Sequence, residues 1–232
     1  AARAKLRAPS ARHGTFGARP GATSRSGAVE SRGPAGSRAT FDVAGRHVLV
    51  DVPIVGRHNV DNAACALAVA HALELDLDAA ARGLGQTRAA TLRGQVVTAA
   101  GRHVLVDCYN ANPASMRAAI ETLVELAAGG VAVAVMGDML ELGDGAVAEH
   151  RALGEFVGKS AVTRVVGVGE LGAVIVAGLP PGAVWQHAID AAQAARAVAD
   201  ATRPGDWILV KASRKMALER VVDSLRALLE AA

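Results

Sequence analysis

From residue 102 onward the chain repeats one pattern: a short run of Val, Leu or Ala, a polar turn, then a stretch with helical spacing. Strands are expected over 102–107, 131–136, 163–168, 183–186 and 206–211. Helices are expected between and after them, over 113–127, 146–158, 171–177, 189–201 and 215–229. A strand that returns through a helix re-enters the sheet in the same direction, so this alternation specifies an α/β fold with a parallel, doubly wound sheet. Such sheets carry their functional side chains just beyond the carboxyl ends of the strands.

The preceding residues have a different organisation. Residues 1–38 are rich in Gly, Ser, Pro and Arg with weak periodicity, and Thr15-Phe16-Gly17 reads as a short strand end. A hairpin follows, 39–43 and 47–52, with Val48, Val50 and Val52 alternating around the turn 44–46. A strongly apolar helix is expected over 60–75 and a shorter one over 78–84. A second hairpin, 93–98 and 102–107 about the turn 99–101, opens the regular part. The change in pattern near 87–92 divides the chain into two domains, 1–90 and 91–232.

Composition narrows the function classes. At 51% hydrophobic residues the chain can build real cores, and with 3% aromatics it builds them from Ala, Val and Leu. The first fifty residues hold nine Arg or Lys against Glu30 and Asp42. Only Phe16 and Phe41 fall among these bases, so a solvated surface is expected and not a nucleic-acid arm. Cys65 and Cys108 are the only cysteines, which implies neither a disulfide scaffold nor a zinc site and fits a reducing cytoplasm. No apolar run has the length of a membrane span. The start has neither Met nor a continuous apolar core, so no signal peptide is expected, and the chain reads as beginning within a longer protein.

Three strand tips concentrate polar chemistry. They are Asp107-Cys-Tyr-Asn-Ala-Asn112, Gly137-Asp-Met-Leu-Glu-Leu-Gly143 and Lys211-Ala-Ser-Arg214. Polar loops always follow buried strands, so one tip alone signifies little. Three on one sheet edge bring together carboxylates, amides, a Lys, a Ser and an Arg, a mixture suited to an anionic, zwitterionic or nucleotide ligand. In the first tip Pro113 stands at the first helical position, with Asn112 or Asn110 placed to cap the free amides.

Two further motifs bear on nucleotides. Gly56-Arg-His-Asn-Val-Asp-Asn62 precedes the apolar helix, and Asn59 and Asn62, three apart, share one face. A carboxamide donates and accepts at once, as a base edge requires; N-capping would explain Asn59 but not Asn62. Gly167-Val-Gly-Glu-Leu-Gly172 is a literal G-x-G-x-x-G between a strand and a helix, with Asp190 eighteen residues further on. It offers an alternative, an NAD-binding oxidoreductase domain. It sits on the third strand of the unit and not the first, and chance matches are common in a Gly-rich chain. A non-catalytic nucleotide-binding module is the other alternative. There is no Walker A loop, G-x-S-x-G elbow or His/Cys set with metal spacing, so no metal site is expected.

Taken in order, these motifs resemble the Mur ligase family of peptidoglycan synthesis. The matching pieces are Thr15-Phe16-Gly17, Gly56–Asn62, Leu92-Arg93-Gly94, Asp107–Met116, Gly137–Gly143 with His150, and Leu209–Arg214. Within the family, Tyr109-Asn-Ala-Asn-Pro113 and Gly137–Gly143 resemble the branch that joins D-Ala-D-Ala to UDP-MurNAc-tripeptide. The resemblance implies the tail end of a central ATP-binding domain followed by a complete C-terminal Rossmann-like domain. It implies a cytoplasmic, monomeric enzyme with no nucleic-acid or membrane partner. ATP and Mg²⁺ would serve the full-length enzyme. The carboxylate would be activated as an acyl phosphate and then attacked by an amine.

Matched residue by residue, Asn59 and Asn62 resemble the adenine-reading pair, Arg93 the phosphate-reaching Arg, and Asp107 the ribose-holding acid. Tyr109, Asn110 and Asn112 would line the cleft beside them. Lys211, Ser213 and Arg214 resemble the part that receives the acyl acceptor; Ala212 stands where the family usually has Gly. Glu141 and His150 match family positions without an assigned role. The family's P-loop, Mg²⁺-holding carboxylates and modified lysine would precede residue 1, so the catalytic residues are expected outside this chain, and the chain alone is expected not to ligate.

Overall fold

The computed structural model describes residues 14–230; Arg3, Lys5, Arg7 and Arg12 of the basic stretch lie outside them. The described residues form two compact units, divided between Arg88 and Ala89.

The first unit is a four-stranded sheet with two helices. The strands are β1 (Phe16–Gly17), β2 (Ser24–Ser31), β3 (Ser37–Val43) and β4 (Arg46–Val52), hydrogen-bonded in that order. Beyond a short parallel β1–β2 pairing the sheet is antiparallel. Ala39, Phe41 and Val43 of β3 and Val48, Val50 and Val52 of β4 alternate onto one face. Helix α1 (Arg57–Ala72) covers that face with Val60, Ala63, Ala64 and Leu67. The β3–β4 turn needs only two residues, Ala44 and Gly45, both with positive φ (50° and 88°). That geometry matches strand twist in tight hairpins.

Two expectations for this unit are corrected. Strand β2 falls within the stretch read as lacking periodicity. Its inward positions are Ser24 and Ser26, both buried, so its alternation carries no hydrophobic signal. Helix α1 starts and ends three residues earlier than expected. Gly56 (φ 97°) is its N-cap, and the helix closes where Glu74 turns left-handed (φ 57°) and the Leu75 N–H donates to the Ala70 carbonyl at 2.9 Å. This is the αL ending common to helices, here without its usual glycine. A second helix, α2 (Leu77–Gly85), is capped by the Asp76 carboxylate, which accepts from the Asp78 N–H.

The second unit is a six-stranded sheet in the order β5-β6-β10-β7-β8-β9. Strands β5 (Gln95–Ala99) and β6 (Arg102–Asp107) form an antiparallel hairpin. From β6 onward β10 (Trp207–Lys211), β7 (Ala132–Met136), β8 (Arg164–Val168) and β9 (Trp185–Ala188) run parallel. Helices α3 (Pro113–Ala127), α4 (Ala146–Val157) and α5 (Glu170–Ala177) occupy one side; α6 (Ala191–Ala201) and α7 (Glu219–Glu230) pack together on the other. This is the expected α/β architecture. Strands β7 and β10 are buried at every residue, as central parallel strands must be.

Helix α3 has the expected bounds, with Asn112 before Pro113 and Ser115 after it forming a reciprocal capping box. Strand β9 lies two residues later than expected; its exposed edge residues Trp185, Gln186 and His187 carry no burial pattern. Helix α7 starts at Glu219 and not 215, because residues 214–216 form a 3₁₀ turn closed by Ala217 at φ 49°.

Candidate functional site

Strand order places the three polar tips side by side. Lys211 at the end of β10 is in register with Asp107 of β6 on one side and Met136 of β7 on the other. The Lys211 side chain is 2% exposed, and its Nζ lies 2.6 Å from Asp107 Oδ2, 2.9 Å from the Asn110 carbonyl and 3.5 Å from the Asp107 carbonyl. A buried ammonium is tolerated only when paired and hydrogen-bonded, and this one is.

The turn after β6 is ordered residue by residue. Asn110 accepts the Ala111 N–H through its own Oδ1 at 2.9 Å, and Asn112 caps α3. Tyr109 is 46% exposed, and the Arg93 guanidinium stacks 3.8 Å from its ring centroid. The Tyr109 N–H donates to the Leu92 carbonyl at 3.1 Å, which fastens the segment carrying Arg93 to the strand tip. Six expected site residues thus converge in the second unit: Arg93, Asp107, Tyr109, Asn110, Asn112 and Lys211. The planar Arg93–Tyr109 pair is exposed enough to meet a ligand.

The neighbouring tip is bound into a buried network. Ser213 Oγ accepts the Leu140 N–H at 2.9 Å, while its own N–H donates to the Asp138 carbonyl at 3.0 Å. His150 is fully buried; Nε2 accepts the Met139 N–H at 2.8 Å and Nδ1 lies 2.6 Å from the Ala146 carbonyl. This pattern is met by a neutral imidazole with its proton on Nδ1, so His150 holds the 138–140 backbone in place. Arg214 remains exposed and pairs with Glu219 at 2.7 Å. Glu141 takes a left-handed backbone (φ 68°).

The G-x-G-x-x-G segment forms the expected strand–turn–helix, but its anion site is filled from within. Asp138 Oδ1 accepts the N–H groups of Leu171 and Gly172 at 3.0 and 2.9 Å. Those are the amides a dinucleotide pyrophosphate would use at the start of α5. A carboxylate already held there repels a second anion, so the oxidoreductase alternative is not favoured. Sequence reasoning placed Asp138 within a tip but missed this role; an acid directly after a strand, beside a Gly-rich helix start, was the available signal.

In the first unit, Asn59 and Asn62 stand together on α1. Asn62 Nδ2 donates to Asn59 Oδ1 at 3.0 Å, and Asn59 Nδ2 donates to the Val55 carbonyl at 2.8 Å. Asn59 is therefore no N-cap; it lies inside the first turn with its amide fixed. Among the described residues no group of three or more His, Cys, Asp or Glu could hold a metal ion, and no helix is long and apolar enough to cross a membrane.

A mostly parallel sheet with a polar, partly exposed cluster along its carboxyl edge defines an α/β domain with a candidate ligand site at that edge. Residues 92–214 match the family model described as Mur ligase, glutamate ligase domain, and the chain belongs to the Mur ligase family. The UDP-N-acetylmuramoyl-tripeptide–D-alanyl-D-alanine ligase of Bacillus subtilis (strain 168) is 35% identical over 189 residues, covering 80% of this chain and 41% of that protein. MurF from Acinetobacter baumannii superposes with a TM-score of 0.81 at 29% identity, covering 89% of this chain and 45% of that one. MurF from Thermotoga maritima, solved in complex with ADP, shares the fold at a TM-score of 0.79 and 24% identity, over 91% of this chain and 48% of that one. The chain thus spans about two-fifths of the length of the curated relatives it matches.

Proposed function

We propose that this chain is the C-terminal part of an ATP-dependent ligase that joins D-Ala-D-Ala to UDP-MurNAc-tripeptide. Residues 1–90 read as the end of the ATP-binding domain and 91–232 as the domain that brings the amine. The observation that carries this reading is the cluster at the end of β6, where Asp107, the Arg93–Tyr109 stack and the Asn110–Asn112 turn share one edge. It stands within the segment that the family model matches.

In this reading Asn59 and Asn62 contact the adenine edge, Asp107 accepts from ribose hydroxyls and Arg93 reaches the phosphates. Ser213 and Arg214 serve the acceptor side, Arg214 offering its charge to the dipeptide carboxylate and Ser213 fixing the Leu140 backbone beside it. The substrate carboxylate attacks the γ-phosphorus of ATP, giving an acyl phosphate and ADP. The acceptor amine then adds to the carbonyl carbon, a proton leaves the amine, and phosphate departs. Such phosphoryl transfer rests on positioning and charge stabilisation. Mg²⁺ would serve the complete enzyme from carboxylates outside the described residues, among which no group of three or more His, Cys, Asp or Glu could hold a metal ion. The chain alone is proposed to bind nucleotide without turnover, and the complete enzyme to be monomeric and cytoplasmic, without nucleic-acid or membrane partners.

The test pairs binding with turnover. ADP titrated into the chain is expected to bind saturably and to lose affinity about tenfold in Asn59→Ala and in Asp107→Asn, the loss of one charge-assisted or bidentate contact. A complete ligase in which this chain supplies the C-terminal part should release phosphate only when ATP, UDP-MurNAc-tripeptide and D-Ala-D-Ala are all present. Preference for another amine would overturn the acceptor assignment. ADP binding without turnover in the complete protein would favour a non-catalytic nucleotide module.

A further inference from the structure

The Lys211 ammonium has three N–H donors, and three acceptors surround it: Asp107 Oδ2, the Asp107 carbonyl and the Asn110 carbonyl. With the residue 1% exposed, no donor remains for a substrate. We propose that Lys211 is a positioning residue for the nucleotide and not a contact of the acyl acceptor. This rests on the reading of Asp107 as the ribose contact.

The geometry explains how it would act. Two of the three acceptors are backbone carbonyls of the turn between β6 and α3, so the ammonium fixes the path of residues 107–110. That path sets where Tyr109 presents its ring to Arg93. The third acceptor occupies one carboxylate oxygen of Asp107, whose side chain is 23% exposed. The other, Oδ1, has no hydrogen-bond partner among the described residues and is left to accept from a ligand hydroxyl pair. Lys211 thus holds an acid, a turn and a stacked Arg–Tyr pair in one arrangement from the middle of three adjacent strands. Arg would substitute poorly, because its planar fork suits a carboxylate and not three acceptors converging on one point.

The experiment measures ADP affinity, KM for ATP and KM for D-Ala-D-Ala in a complete ligase carrying this chain. The variants are Lys211→Met, Lys211→Arg, Asp107→Asn and the Asp107→Asn/Lys211→Met double variant. Lys211→Met is expected to weaken ADP binding and raise KM for ATP by about tenfold, leaving KM for the dipeptide within about twofold. Lys211→Arg, which keeps the charge and serves if the Met variant does not fold, should show the same split at smaller amplitude. The double variant should weaken ADP little more than Asp107→Asn alone, since coupled residues do not add. A raised dipeptide KM with unchanged ADP affinity in either Lys211 variant overturns the proposal and returns Lys211 to the acceptor side. If Asp107→Asn leaves ADP affinity unchanged, the ribose reading itself fails. If Asp107→Asn weakens ADP and the Lys211 variants do not, the ribose reading stands and the Lys211 proposal alone is lost.

Discussion

The carboxylate of Asp138, at the end of β7, accepts the Gly172 N–H in the first turn of α5 at 2.9 Å, with the Leu171 N–H on the same oxygen at 3.0 Å. One strand tip thereby caps the helix that follows the next strand. Gly169 (φ 88°) allows the approach, since a Cβ there would meet Asp138 Oδ1 at 2.9 Å. NADH titrated into the chain is therefore expected to give no saturable fluorescence change, and binding lost in Gly169→Val would revive the oxidoreductase alternative. Asp138→Ala should lower unfolding free energy by about 1 kcal/mol in urea titrations, the usual cost of removing an anionic cap.

His150 bridges two turns from a fully buried position, accepting from Met139 and facing the Ala146 carbonyl. Truncation leaves the Met139 N–H buried without a partner and opens a cavity. His150→Ala is expected to cost about 2–4 kcal/mol, read as a fall in Tm. His150→Gln keeps one acceptor and one donor and should recover part of it. Equal Tm for wild type and His150→Ala would show that the loop finds other partners.

The parts of this fold that the sequence made legible are those where burial and periodicity coincide. Strands β6, β7 and β10 read as apolar runs, and Asn112-Pro113 marked the start of α3 to the residue. Strand β2 was hidden because serines fill its inward positions, and β9 was placed two residues early because it lies exposed at the sheet edge. At the site, residue identity located the Asp107 turn but not its pairings. Lys211 and Asp107 are 104 positions apart, and only the insertion of β10 between β6 and β7 makes them neighbours. Nothing local to His150 reveals that it serves the backbone of Met139.

Helices α4 and α5 approach closely at Gly154. A Cβ there would run into the Ile175 carbonyl and would sit 3.0 Å from Gly178 Cα, both backbone atoms that cannot step aside as a side chain could. Gly154→Ala gains helix propensity but forces the two helices apart. The expected net effect is destabilisation by about 1–3 kcal/mol, the range for overpacking. Unchanged stability in guanidinium titrations would mean that α5 shifts freely over β8.

The Cys108 thiol is fully buried at the end of β6 and donates to the Val210 carbonyl at 3.2 Å. Burial, reinforced by the negative charges of Glu219 and Asp107, pushes its pKa from 9.0 up to about 12. Two outcomes follow from this. At about pH 8 a thiol reagent should modify half-buried Cys65 and spare Cys108, so the native chain should release one equivalent and the denatured chain two. Folding favours the neutral thiol, so its contribution is fully present below pH 9.0 and is lost as pH rises toward about 12. By about pH 10.5 the loss should approach 2 kcal/mol, since each tenfold fall in proton activity above the unfolded thiol's pKa costs roughly 1.4 kcal/mol. The stability gap between wild type and Cys108→Ala should therefore narrow between about pH 8 and about pH 10.5. A gap that stays constant over that interval would mean that the thiolate is accommodated in the folded state.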